Sequence, residues 1–287
     1  MNGSAGNHVL CFGVYSRVPT ELATFLHLIA RRKYNERFYR QNHVMPKKYA
    51  NRAIIVLEAP WNLDETDANR SSVLPFLQGV AKLAGDTDVL HANFYDESSL
   101  IYAYNHLAKS HHKNAIMYIA AHGAYGEVGN VELSSIFAAA QVIAKRCNIT
   151  GVLIGSCYSG ECDLSLQAGI ERSQLRWCAG YASSANWLQG TMVDCAILEA
   201  MLDLPSSAYK KSEKMIERLA QAISPFSSRY AIGDDYDDQP VSLRDSLQFV
   251  IQPEGQGQRA RNVSQEVFDM HAALQLDSDD EDDGDDD

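Results

Sequence analysis

NAIMYIAAHG at 114–123 and TGVLIGSCYSG at 150–160 are two short apolar runs that end in reactive residues. Neither run alternates polar with apolar side chains, the pattern of a strand buried on both faces. The first stops at Ala121-His122-Gly123. The second stops at Ser156-Cys157-Tyr158-Ser159-Gly160.

The same pattern extends outward from this pair. Residues 53–57, 88–94 and 176–182 read as further strands. Helical spacing occupies 71–83, 97–109, 133–147, 191–204 and 210–223, with Ser71 or Ser72 as a candidate cap and Gly85 as a stop. Leu247 to Ile251 reads as a sixth, edge strand, and 233–240 as a loop. Strands alternating with amphipathic helices predict an α/β fold, a mostly parallel sheet covered on both faces. The expected organisation is an N-terminal addition at 1–50, an α/β domain at 51–252, a C-terminal extension at 253–276 and an acidic tail at 277–287. The addition is expected to hold a strand at 9–15 and a helix from Thr20 toward Arg40. The extension is expected to end in a short helix at 263–276.

The 287 residues carry 25 bases and 37 acids, a net charge of -12. Nine of the acids lie in 277–287, so the rest of the chain, with 28 acids to 25 bases, is at -3. That balance speaks against a basic nucleic-acid-binding surface. The tail has no apolar area to bury and is expected to be unstructured. No apolar run is long enough to span a membrane, and the short apolar patch at 9–15 lacks a basic leader. Six cysteines in a chain this long do not make a disulfide framework, so we expect a reducing, cytoplasmic setting with thiols in apolar or helical surroundings. His111-His112 reads as solvated loop.

In an open parallel sheet, reactive groups gather beyond the carboxyl ends of the strands. If the strands ending at His122 and Cys157 are neighbours, an imidazole and a thiol meet at one edge. A free thiol has a pKa near ~8.5, so an imidazolium beside it raises the thiolate fraction. The same imidazole can pass a proton to a leaving amine. The backbone N–H groups of Gly123 and Cys157 are the natural donors to an oxyanion. No cofactor is expected. The cysteine spacings match no compact zinc pattern, and no phosphate-binding glycine motif occurs.

Strand, His-Gly, helix, strand, Ser-Cys-x-Ser-Gly resembles the caspase-like cysteine peptidases, most of all the metacaspase and bacterial caspase-homologue branch. The resemblance runs from about Ala53 to Ile251. It implies a three-layer caspase-like fold of about six mostly parallel strands. It implies His122 as general acid/base, Cys157 as nucleophile, and peptide hydrolysis through a thioester. Some relatives are switched on by calcium, although the chemical step needs no metal. Gly155 departs from the branch, which has an acid there to hold a basic side chain on the acyl side of the cut. Asp67 becomes the candidate for that role, with Glu58 and Asp64 behind it; an acid-specific pocket has only Arg70 in this loop. Ser183, Ser184 and Trp187, after the fifth strand, are expected to form a pocket wall. The implied partners are a protein substrate and a regulatory protein, in cell death or bacterial defence. Two alternatives remain: a catalytically silent caspase-like scaffold that binds a partner peptide, and a flavodoxin-like binding module.

Overall fold

A computed structural model describes the backbone of residues 49–61 and 71–281, and the side chains as far as 276. Every described residue lies in one compact unit, 49–287. The strand and helix expected in 9–40, and Asp64, Asp67 and Arg70, lie outside the described residues.

The elements follow in chain order. Strand β1 (Arg52–Glu58) leads to α1 (Leu74–Ala84), β2 (Thr87–Asn93), α2 (Glu97–Leu107) and β3 (Asn114–Ala120). Three short strands follow: β4 (Gly123–Ala124), β5 (Glu127–Val128) and β6 (Val131–Glu132). Then come α3 (Leu133–Cys147), β7 (Ile149–Gly155), α4 (Asp163–Ile170), β8 (Trp177–Tyr181), α5 (Trp187–Leu202) and α6 (Ser212–Ile223). The chain closes with β9 (Ala231–Asp234), β10 (Pro240–Ser242), α7 (Leu243–Ser246), β11 (Leu247–Ile251), β12 (Arg261–Asn262) and α8 (Ser264–Glu281).

The central sheet has seven strands in the order β12-β11-β8-β7-β3-β1-β2. The five from β2 to β8 are parallel; β11 runs antiparallel to β8, and β12 to β11. The fold is therefore α/β, three layers deep, as the alternation predicts. Successive side chains in a strand point to opposite faces. Ile54 and Val56 join α1, α5, α6 and α8 in one core, whereas Ala53, Ile55 and Leu57 join α2, α3 and α4 in the other.

From β1 the chain steps outward to β2, then crosses to β3 on the other side of β1. Such a reversal leaves a crevice outside the carboxyl ends of the two strands concerned. Trp61 follows β1 and His122 follows β3, so both stand at that crevice. No helix among the described residues is long and apolar enough to cross a membrane.

Several expectations need correction. Helix α1 has no side-chain cap from its own cap residue, Val73. The Ser72 hydroxyl does accept from the Leu74 N–H at 3.3 Å, and the buried carboxylate of Glu58 holds this turn in place, accepting from the Val73 N–H at 2.8 Å and the Ser72 hydroxyl at 2.8 Å. Strand β11 is not the edge, because β12 pairs outside it. The expected loop at 233–240 is the tip of a β9–β10 hairpin, whose strands are too short and polar to show a period. Helix α4 and the β4–β5–β6 ribbon were not legible; α4 has eight residues, and each ribbon strand has two. Helix α8 continues to Glu281, into the acidic run. Val267 and Phe268 are buried upstream, and propagation from an anchored helix costs far less than nucleation. His112 is buried rather than solvated, with Nε2 3.2 Å from Asp88 Oδ2.

Candidate active site

Strands β3 and β7 pair in parallel with Ala120 opposite Gly155. His122 and Cys157 therefore each follow the same rung by two residues. The backbones stay together beyond it. A Cβ built on Gly123 would stand 2.1 Å from the Cys157 carbonyl oxygen and 3.1 Å from Ser156 Cβ. Only a residue without a side chain fits there, and that brings the His122 loop against the Cys157 turn.

The ribbon after β3 aims the Gly123 amide. Rungs of an antiparallel ladder alternate between exchanging both hydrogen bonds and exchanging none. Gly129 N–H donates to His122 O at 2.8 Å, so the next rung, Gly123 with Val128, is of the open kind. The Gly123 N–H thus points away from β5. The Cys157 N–H has no hydrogen-bond partner among the described residues. These are the two amides expected to hold an oxyanion.

Cys157 is half-buried. Its Sγ accepts from the Ala185 N–H at 3.3 Å, which ties the sulfur to the segment after β8. The next residue, Tyr158, has φ +56°, a left-handed conformation unfavourable for a bulky side chain. Its N–H donates to Ser183 O at 2.9 Å, and its ring stacks on Tyr236 at 4.2 Å. These contacts hold the turn. His122 is solvent-exposed on one side and meets the edge of Trp61 on the other, ring centroids 4.0 Å apart. Lost hydration lowers the imidazole pKa below its ordinary 6.5, and a hydrogen bond to the Trp61 backbone opposes that shift.

The wall after β8 is already paired. Ser184 N–H donates to Asp234 O at 3.0 Å and Asn186 N–H to Ile232 O at 2.8 Å, so β9 lies along it. Ser183 is buried, its hydroxyl 2.8 Å from Ser184 O and 2.7 Å from Ser246 Oγ. Ser184 Oγ accepts from the Asp234 N–H at 2.7 Å. Trp187 lines a cavity with Trp61, Cys157 and Gly155. Glu58 is consumed by α1 and by His91, 3.0 Å away.

One residue that sequence reasoning missed lies at the floor of that cavity. Asp194 of α5 is 1% exposed. Tyr118 OH and Tyr181 OH donate to its two oxygens at 2.7 and 2.8 Å. The tyrosines stand on β3 and β8, on either side of β7, and Gly155 leaves room between them. A Cβ at 155 would lie 2.5 Å from Asp194 Oδ2 and 2.6 Å from Tyr118 OH. Burial raises the Asp194 pKa from 3.8 to about 7, against the two tyrosine hydrogen bonds. The signal in the sequence was a single acid inside the apolar run TMVDCAIL at 191–198.

Cys147 and Cys178 are buried, as expected of structural thiols, but Cys162 is exposed. Hydrogen bonds from the Ser165 side chain and then its backbone lower the Cys162 thiol pKa.

The sequence matches no protein-family model and no curated protein. Among solved structures, the fold is similar to the X-ray structure of a secreted C11 cysteine protease from Bacteroides thetaiotaomicron, "iotapain", with a TM-score of 0.42 and 11% sequence identity. The match covers 70% of this chain and 66% of that chain, just under two thirds of its length.

Proposed function

We propose that this chain is a caspase-like cysteine endopeptidase, with Cys157 as nucleophile and His122 as general acid/base. The observation that carries the reading is the seating of Gly123 on the Cys157 carbonyl, which joins the two loops at the crevice of the sheet.

The chemistry follows from the groups present. The Cys157 thiolate adds to the scissile carbonyl carbon, and the oxygen takes the negative charge. Gly123 N–H and Cys157 N–H donate to that oxygen. Collapse breaks the C–N bond, and His122 gives its proton to the leaving amine. The acyl group remains on Cys157 as a thioester. Water, losing its proton to His122, then adds to the thioester and releases the carboxylic acid and the thiol.

Asp194 supports a cationic side chain on the acyl side of the cut. A carboxylate at the base of an apolar cavity favours a cation that can hydrogen-bond to it. The cavity holds only about 20 Å³, so a side chain enters when Trp61 or Trp187 swings aside. The β9 pairing supports gating: a substrate strand cannot use the Ser184 and Asn186 N–H groups until β9 moves. Transient opening of the hairpin leaves the chain a basal activity, and a regulatory partner in the cytoplasm that displaces it would raise that activity, in cell death or bacterial defence.

The test is cleavage of a mixed peptide library by the full chain, its Cys157→Ala variant and its His122→Ala variant. We expect cleavage by the parent alone. Equal cleavage by Cys157→Ala would refute the assignment.

A further inference from the structure

A second groove, of about 510 Å³, opens on the face of the sheet that carries α3 and α4. Tyr125 and Glu127 of the ribbon, Glu132 before α3, and Tyr158 and Glu161 after the nucleophile line it, with no lysine or arginine. The three glutamates are exposed, and none makes an ion pair among the described residues. Glu161 accepts from Tyr236 OH at 3.0 Å, and Glu132 from Ser134 Oγ at 3.2 Å. Carboxylates that share one concave wall concentrate a negative potential, and a cation that enters relieves it. Tyr236 stacks on Tyr158 at 4.2 Å and lies nearly parallel to Tyr125, 16° off at 6.2 Å. Tyrosine faces attract guanidinium and ammonium groups.

The position of the groove gives it a role. Glu127 lines both this groove and the cleft over His122 that Trp61 and Gly123 also border. The cavity of Asp194 lies on the opposite face, among Val73, Tyr118 and Tyr181. If His122 protonates the leaving amine, the chain beyond the cut must pass over His122. From there it runs past Glu127 into the groove.

We propose that this groove binds a basic stretch of the substrate on the leaving side of the cut, its Lys and Arg side chains facing Glu127, Glu132 and Glu161. The proposal rests on the peptidase reading for its direction of travel, and its test separates the two.

Fluorescence anisotropy of a labelled Arg-Lys-Gly-Arg-Lys peptide reads the groove without turnover. The proteins are the full chain with Cys157→Ala and the same chain carrying Glu127→Gln, Glu132→Gln and Glu161→Gln as well. Both keep the acidic tail, so its attraction cancels in the comparison. The triple substitution should weaken binding roughly tenfold, since three exposed charge pairs are lost, and a Glu-Glu-Gly-Glu-Glu peptide should not bind. Affinities within twofold of each other, or equal binding of the acidic peptide, overturn the proposal. Turnover gives the second readout. Two internally quenched peptides, alike before the cut and basic or acidic after it, should differ roughly tenfold in kcat/KM with Cys157 and the three glutamates intact. Equal cleavage overturns the groove and leaves the peptidase standing. Cleavage of neither refutes the peptidase reading, and the anisotropy decides the groove alone.

Discussion

Gly123 rests on the carbonyl of Cys157 so closely that a Cβ would stand 2.1 Å from the oxygen. The obstacle is backbone, so it cannot swing away. Gly123→Ala must therefore part the two loops. A misplacement of about 1 Å at a reacting centre can cost roughly a hundredfold in rate. We expect kcat/KM to fall by about that factor while the circular dichroism of the sheet is kept. Near-parental activity would mean that the two loops are not coupled in the reaction.

The titration of His122 gives a second expectation. Its pKa lies below 6.5, first through lost hydration. In the free enzyme the neutral ring must take the proton of the Cys157 thiol before attack, so the acid limb of kcat/KM should fall below pH 6.5. Trp61→Ala rehydrates the ring and should move the limb up toward that value. A limb that stays put would point to another group.

Asp194 links pH to stability. Its pKa in the fold is about 7, raised by burial from 3.8. Between those two values the native state holds a proton that the unfolded chain has released. Stability should therefore fall as pH rises from about 4 to about 7 and then level off, by on the order of 4 kcal/mol from this group. Asp194→Asn should flatten that slope and be the more stable protein at pH 8. Urea unfolding across the window measures it; parallel curves for the two proteins would show that Asp194 is ionised throughout.

The same residue sets a specificity expectation. Loss of a charge-assisted hydrogen bond should lower kcat/KM for substrates with Lys or Arg on the acyl side of the cut. For Asp194→Asn we expect a loss of roughly tenfold or more with those substrates, and little change with Gln or norleucine there. A uniform loss across the panel would assign Asp194 to structure alone.

What the sequence revealed tracks how local its cause is. The apolar runs around Ile54, Met117 and Val152 and their intervening helices are written in side-chain period, and the sheet follows from them. His122 and Cys157 stood out as candidates because each ends such a run. Asp194 did not, since its meaning depends on Tyr118, Tyr181 and the gap at Gly155, which converge only in the fold. The pairing of β9 with Ser184 and Asn186 is likewise long-range. Glu58 looked like a pocket acid, and its hold on the turn before α1 appears only when Ser72 and Val73 are brought to it.

The central claim is that Cys157 is a nucleophile made competent by His122. General alkylation does not test it, because Cys162 is exposed and its thiol pKa is lowered. The direct measurement is mass-spectrometric mapping of the adduct formed by a peptidyl acyloxymethyl ketone panel, which needs a bound peptide and an active thiol together. The account predicts one adduct, on Cys157, strongly diminished in His122→Ala. Labelling spread over Cys162 and Cys195, or labelling of Cys157 that ignores the loss of His122, would contradict it.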